Sequence, residues 1–341
     1  MGAWHENAAG EAPLHGGPDA LGVPLHDFST NANACGPCPQ VLQLLQAADR
    51  RHYPDPAYTQ LRAQLARFHG VDPGRIVLAA SASEFIHRIS AHAARTGLRR
   101  AVLPAHAYGD YARAARLWGL DVCTAAAQHD GAPALHWACQ PSSPLGMPDA
   151  ALARWTRQST TQQDALRVID CAYAPLVLDD AAAPTLAGDA WQLWTPNKAL
   201  GLTGVRAAYA VAPAQAVEVA LALQALAPSW PVGADGVALL SGWVLAQTQD
   251  WLAQSLQRLR RYKAQQLALC AGLGWQVQEG SLANFFVARL PVADMEQALR
   301  RLRGQGIKLR DCASFGLPGC VRLGVLAPPA QQALAQAWRG R

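Results

Sequence analysis

The sequence predicts an α/β protein: a mostly parallel, seven-stranded sheet wound by helices, followed by a smaller α+β domain. Three observations predict it. Seven short apolar runs are bounded by turn residues, and most are continuous rather than alternating, as strands covered on both faces read. Helical periodicities separate several of these runs, which is the pattern of a parallel sheet with helical crossovers. From about Val237 the character changes to one long helical stretch followed by short strands.

Residues 1–27 are rich in Gly, Pro and His and read as an irregular arm. The sheet domain takes residues 28–236, with strands at Ile76–Ala80, Ala101–Pro104, Asp121–Ala125, Ala134–Cys139, Leu166–Cys171, Trp191–Trp194 and Ala207–Val211. A helix over Tyr58–His69 places Leu61, Leu65 and Phe68 on one face. A second over Ser83–Arg95 does so with Ile86, Ile89 and Ala93. The small domain takes residues 237–341. It has a helix over roughly 237–272, a strand at Leu282–Leu290, a helix near 293–304, and strands near Ile307–Arg310 and Val321–Val325.

Composition excludes several classes. Hydrophobic residues are 51% and charged residues 16%, a balance that builds a core and not a disordered chain. The net charge of +5 is scattered, and Arg258-Leu-Arg-Arg261 reads as a solvated helix face rather than a nucleic-acid surface. No apolar run reaches the ~18 residues of a membrane span, and no secretory signal is visible. The position-six Ser/Thr of a myristoylation motif is absent. The eight cysteines are expected to be free thiols in a cytoplasmic protein. Cys35-Gly-Pro-Cys38 spells a redox motif, but a turn sequence precedes it where that site needs a buried strand. No second Cys/His pair has metal-ligand spacing, so no metal is expected.

The chemistry centres on Lys198, one of three lysines, in Trp194-Thr-Pro-Asn-Lys-Ala-Leu-Gly-Leu-Thr-Gly-Val-Arg206. The other two lie in charged surroundings, whereas this one follows an apolar run. A lysine amine does covalent chemistry only when neutral, and apolar surroundings favour that form. Arg206 supplies a planar cation suited to phosphate. Asp170 ends the buried run Val168-Ile-Asp, where strand-end side chains face a ligand crevice. It can hold a protonated pyridine nitrogen or cap the next helix. Tyr173 can donate to a ring hydroxyl. Ser81-Ala82-Ser83 opens a helix, which makes an anion site or an ordinary N-cap. Tyr108 can stack on a flat ring or pack in the core. Tyr53 lies in a rigid Pro-flanked turn. Arg310 and Arg322 sit at strand ends and can clamp anions together, or serve singly as surface charges.

These residues resemble the fold-type I pyridoxal-phosphate enzymes of the class I/II aminotransferase superfamily, over about His15 to Arg322. The Lys198 segment, with Thr195 three residues before and Arg206 eight after, carries the resemblance most specifically. The resemblance implies pyridoxal 5'-phosphate as cofactor and a homodimer with shared sites. Lys198 would be the attachment lysine, with Asp170 and Tyr173 on the ring nitrogen and ring hydroxyl. Ser81, Ala82, Ser83, Thr195 and Arg206 would lie about the phosphate, and Tyr108 on the ring face. Tyr53 would reach the neighbouring subunit's cofactor, and Asn33, Arg310 and Arg322 would bind substrate. Ser143, in Gln140-Pro-Ser-Ser-Pro-Leu-Gly146, stands where the family has the asparagine that donates to the ring hydroxyl.

Two stretches are similar to threonine-phosphate decarboxylase of cobalamin biosynthesis: His15-Gly-Gly17 with Asp27-Phe-Ser-Thr-Asn-Ala-Asn33, and Leu309-Arg-Asp-Cys-Ala-Ser-Phe-Gly-Leu-Pro318. The expected reaction is therefore decarboxylation of L-threonine O-3-phosphate to (R)-1-aminopropan-2-yl phosphate. Transamination of histidinol phosphate or a similar amino substrate is the alternative. A non-catalytic binding protein of the same fold is a third reading.

Overall fold

The computed structural model describes residues 15–124, 133–155, 165–179 and 188–340. Most of the N-terminal arm, and the last residue of the strand expected at Asp121–Ala125, lie outside these residues.

In chain order the elements begin with β1 (His26–Asp27), α1 (Pro39–Ala47), α2 (Thr59–His69), β2 (Ile76–Ala79), α3 (Ala82–Arg95), β3 (Arg100–Leu103), α4 (Gly109–Leu117) and β4 (Asp121–Thr124). Next come β5 (Ala134–Cys139), α5 (Ala150–Trp155), β6 (Ala165–Asp170), β7 (Trp191–Trp194), β8 (Ala208–Val211) and α6 (Val217–Ala225). The seven strands β2 to β8 form one sheet in the order β2-β8-β7-β6-β5-β3-β4. All neighbours are parallel except β8, which runs antiparallel to both β2 and β7.

Strand burial explains the continuous apolar runs. In β2, Ile76 and Leu78 join one core cluster and Val77 and Ala79 the other. In β8, Tyr209 and Val211 face the first cluster, and Ala208 and Ala210 the second. Successive side chains alternate faces, so a strand covered on both sides is apolar throughout. α3 covers the second face with Phe85, Ile86 and Ile89, all fully buried. Each such side chain contributes about 1.5–3 kcal/mol of burial.

The remaining elements are α7 (Ala234–Trp243), α8 (Ala246–Gly272), β9 (Gln276–Val277), β10 (Phe285–Arg289), α9 (Met295–Gly304), β11 (Ile307–Lys308), β12 (Arg310–Asp311), β13 (Cys320–Gly324) and α10 (Pro328–Arg339). β12-β13-β10-β9 make an antiparallel sheet. β1 pairs in parallel with β11, and Asp19 accepts ion pairs from Arg303 at 2.7 Å and Lys308 at 3.0 Å. The chain entering the sheet domain is thus tied to the C-terminal lobe.

The structure corrects three expected elements. The helix expected over 237–272 is two helices, broken where Leu245 is extended (φ −72°, ψ 139°). Apolar periodicity runs through the break because both helices face one core. The Gln249 amide donates to the Trp243 carbonyl that the break frees. The strand expected at Ile307–Arg310 is also two, because β11 pairs with β1 and β12 with β13. In α2, Leu61 and Leu65 are buried, but Phe68 is partly exposed and only edges onto Trp243.

Candidate active site

The carboxyl ends of the parallel strands open into a cavity of about 570 Å³. Lys198 enters it from the turn after β7. That turn is rigid: Leu200 donates to the Pro196 carbonyl at 2.9 Å, Leu202 to that of Asn197 at 2.8 Å, and the Asn33 amide to that of Lys198 at 2.9 Å. Lys198 is half-buried, with Nζ 5.1 Å from the centre of the Tyr173 ring. Its Nζ has no hydrogen-bond or ion-pair partner among the described residues.

Asp170, at the end of β6, is buried. Its Oδ1 accepts from the Ala172 amide at 2.9 Å and its Oδ2 from the Tyr111 hydroxyl at 2.6 Å. Tyr111 packs flat on Trp137, with centroids 4.4 Å apart. Burial, and after it the Asp170 charge, push the Tyr111 phenol well above its ordinary range, so it stays a donor. Tyr173 receives the Asn31 amide at 3.2 Å, and Phe285 packs edge-on against its ring at 4.7 Å.

The other expected residues divide. Ala82, Ser83, Tyr108, Ser143, Thr195, Arg206, Arg310 and Arg322 line the same cavity as Lys198, Asp170 and Tyr173. The Ser83 hydroxyl lies 3.3 Å from that of Tyr108, whose phenol burial pushes upward. Thr195 donates to Asn197 at 2.9 Å. Arg322 donates to Ser143 at 3.1 Å and to the Ser29 carbonyl at 3.1 Å; Arg310 donates to Ser314 at 2.9 Å. Both guanidiniums lie over the Phe315 ring, at 5.7 and 4.9 Å. Burial, and then the Arg322 charge, lower the Arg310 pKa.

Three expected residues lie elsewhere. Ser81 caps α3, accepting from the Glu84 amide at 3.1 Å. Asn33 is buried and holds backbone: it donates to the Ala199 carbonyl at 3.0 Å and accepts from the Cys35 amide at 2.9 Å. Tyr53 is 77% exposed and stacks on Trp230 at 4.4 Å, in a second opening that Arg206 shares. Sequence reasoning missed Tyr111, Asn31 and Asn197. Tyr111 had a signal, since it follows Tyr108 by three residues on one helix. Asn31 was the other amide of Asn31-Ala-Asn33.

The cysteine motif has no redox geometry here. α1 starts after the second cysteine, with Cys38 at its N-cap, and no strand leads into it. Burial pushes the Cys35 thiol upward, away from reactivity. Among the described residues no cluster of three metal-ligating side chains occurs, and no helix is long and apolar enough to cross a membrane.

The cavity wall carries Arg113, Lys198, Arg206, Arg310 and Arg322 against Asp110 and Asp170. The excess of cations favours a ligand with several negative charges. A sequence model described as aminotransferase class I and II matches residues 24–339. This chain belongs to that family. A histidinol-phosphate aminotransferase of Roseiflexus castenholzii is 30% identical over 359 residues, covering 94% of this chain and 92% of the relative. Two solved structures, each 20% identical, share the fold with TM-scores of 0.72. One is the histidinol-phosphate aminotransferase of Sinorhizobium meliloti in complex with pyridoxal-5'-phosphate, covering 91% of this chain and 89% of that one. The other is the L-threonine-O-3-phosphate decarboxylase of Porphyromonas gingivalis, covering 88% and 93%. As a family member this chain is a pyridoxal-phosphate-dependent enzyme of fold type I. Its own residues fit the group: a lysine whose amine has no hydrogen-bond or ion-pair partner among the described residues, a phenol beside it, a buried carboxylate at a strand end, and a guanidinium lining the same cavity as a helix N-terminus.

Proposed function

We propose that this chain is an aminotransferase acting on a small phosphorylated amino substrate of the histidinol phosphate kind. One observation carries the reading. Lys198 and buried Asp170 share a cavity with Arg310 and Arg322, two guanidiniums that donate to the Ser314 and Ser143 hydroxyls. The sequence alone favoured decarboxylation. The relatives named above for transamination support the alternative better.

Bound pyridoxal phosphate supplies a sink for the charge that develops at the substrate's α-carbon. Asp170 would hold the ring nitrogen's proton, and its hydrogen bonds from Tyr111 and Ala172 fix its aim. Ser83, the amides at the start of α3 and Arg206 bind the phosphate. Tyr108 covers a ring face. Lys198 would be the attachment nitrogen, and its amine would be the base for the proton at the substrate's α-carbon. Arg310 and Arg322 would orient the substrate's anionic group and so decide which α-carbon bond is presented for cleavage. Exposed Tyr53 serves the site of a second copy, so the working form is a homodimer.

Decarboxylation of threonine phosphate is the second reading, favoured by the placement of the His15-Gly-Gly17 stretch. The His15 ring lies 6.0 Å from Tyr108, and the Gly17 amide donates to Ser29 at 2.8 Å. A substrate panel on cofactor-loaded protein separates the two. Glutamate-driven conversion to pyridoxamine phosphate, with keto product from histidinol phosphate, is the expected result. Carbon dioxide from threonine phosphate, with no such conversion, would establish the second reading.

A further inference from the structure

The ring hydroxyl of the cofactor needs donors, and the residue expected to help supply them has a shorter reach than the amide the family places there. Ser143 accepts from Arg322 Nη1 at 3.1 Å, and its side chain is a short hydroxyl where an amide was expected. An amide is present nearby on a different segment. Asn31, 1% exposed, lines the cavity and donates from Nδ2 to the Tyr173 hydroxyl at 3.2 Å. Its other polar atom, Oδ1, is buried without a partner among the described residues. The backbone beside it is held on two sides: Asn284 donates to the Asn31 carbonyl at 3.2 Å, and the Asn33 amide donates to the Lys198 carbonyl at 2.9 Å.

From this we infer that Asn31 is a positioning residue for Tyr173 and takes over the amide function that Ser143 lacks. The inference rests on the cofactor reading above. A phenol has one proton and two acceptor lone pairs. When Asn31 occupies a lone pair, the phenol proton is left for the cavity. A donor that itself receives a hydrogen bond is polarised and donates more strongly. Asn31 therefore sets both the direction and the strength of the bond from Tyr173 to the ring oxygen. That bond lowers the basicity of the ring oxygen, which shares a proton with the Lys198 nitrogen.

The test reads the pH midpoint of the bound cofactor's absorbance change in the holoenzyme, without substrate. Asn31→Ala leaves the ring oxygen more basic, so the shared proton is held more tightly and the midpoint rises by about one pH unit, the size of one hydrogen bond. The rise disappears in a Tyr173→Phe background, because Asn31 acts through that phenol. Adding Ser143→Asn to Asn31→Ala returns the midpoint toward wild type. Should Asn31→Ala not fold, isosteric Asn31→Asp carries the same test. Its carboxylate accepts the phenol proton, turns it from the ring, and raises the midpoint further. An unchanged midpoint in either variant, or a shift that persists without the Tyr173 hydroxyl, overturns the proposal. Failure of Ser143→Asn to restore the midpoint overturns the substitution of function. A substrate panel that fails leaves this readout intact. Wild-type protein with no such absorbance overturns the cofactor reading and the proposal together.

Discussion

The Tyr111 hydroxyl donates to Asp170 at 2.6 Å, and among the described residues no other side chain donates to that carboxylate. Both residues are buried, so the bond cannot be replaced by bulk water. Tyr111→Phe keeps the stacking on Trp137 and removes the donor alone. The unfolding midpoint in urea should fall, by about 1–3 kcal/mol of stability, because a buried carboxylate oxygen loses its partner. An unchanged midpoint would mean that water already serves Asp170.

The Lys198 amine has no hydrogen-bond or ion-pair partner among the described residues, so its replacement should spare the fold and remove the chemistry. Borohydride treatment of cofactor-loaded wild type should fix the added mass on the Lys198 peptide. Lys198→Ala should show none, with turnover lower by on the order of 10²–10⁴-fold. Labelling at Lys263 instead would displace the assignment. That amine is half-buried, its pKa lowered to about 8 by desolvation, and it donates to the Ala283 carbonyl at 2.8 Å.

Asp170, Lys198 and Arg206 were legible in the sequence because each is fixed by a nearby strand end or turn. Residues chosen by tertiary packing were not. Ser81 and Ser83 are chemically alike, yet one caps a helix while the other lines the cavity. Asn31 and Asn33 differ in role because the Asn33 amide donates to the Lys198 carbonyl while its side chain accepts from the Cys35 amide, which turns Asn33 onto backbone. Tyr111 was missed because only the strand across from it supplies the acid. The break at Leu245 left no trace in the periodicity, since α7 and α8 bury against the same core.

Arg322 donates to a hydroxyl and a carbonyl through two nitrogens, so a lysine cannot copy its geometry. Arg322→Lys should raise the KM for a phosphorylated amino substrate by about 10–100-fold, the worth of a charge-assisted hydrogen bond. Cofactor absorbance should stay unchanged. Equal loss for substrates without an anionic group would show that Arg322 only supports the fold.

Acid sensitivity should trace to His69. Burial lowers its pKa from 6.5 to about 4, and its Nε2 lies 2.8 Å from the Tyr209 hydroxyl. Between these values the unfolded chain binds a proton that the folded protein does not. Stability is therefore complete above pH 6.5 and falls as the pH drops toward 4, by on the order of a few kcal/mol. His136, lowered to about 4 first by burial and then by Arg167 and Arg154, adds to the slope. His69→Phe should be less stable at neutral pH yet lose less between pH 6.5 and 4. Unfolding midpoints across that range measure it, and parallel profiles would exclude His69.

Gly36 and Gly201 press backbone against backbone where the cysteine motif meets the lysine turn. A Cβ on Gly36 would stand 2.8 Å from the Gly201 Cα and 2.9 Å from the Leu200 carbonyl oxygen. One on Gly201 would meet the Gly36 Cα at 2.8 Å, at a φ of +67° that side chains disfavour. Neither contact ends on a flexible side chain, so relief must move the backbone that holds Lys198. The Cys38 amide donates to the Leu200 carbonyl at 2.9 Å, which ties the two segments further. The glycine of Cys35-Gly-Pro-Cys38 is thus required by packing, and the cysteines flank it. Gly36→Ala should cost about 1–3 kcal/mol and weaken cofactor retention, while Cys35→Ser should leave the cofactor bound. Dialysis followed by absorbance reads both, and retention lost equally in the two variants would return the thiol to consideration.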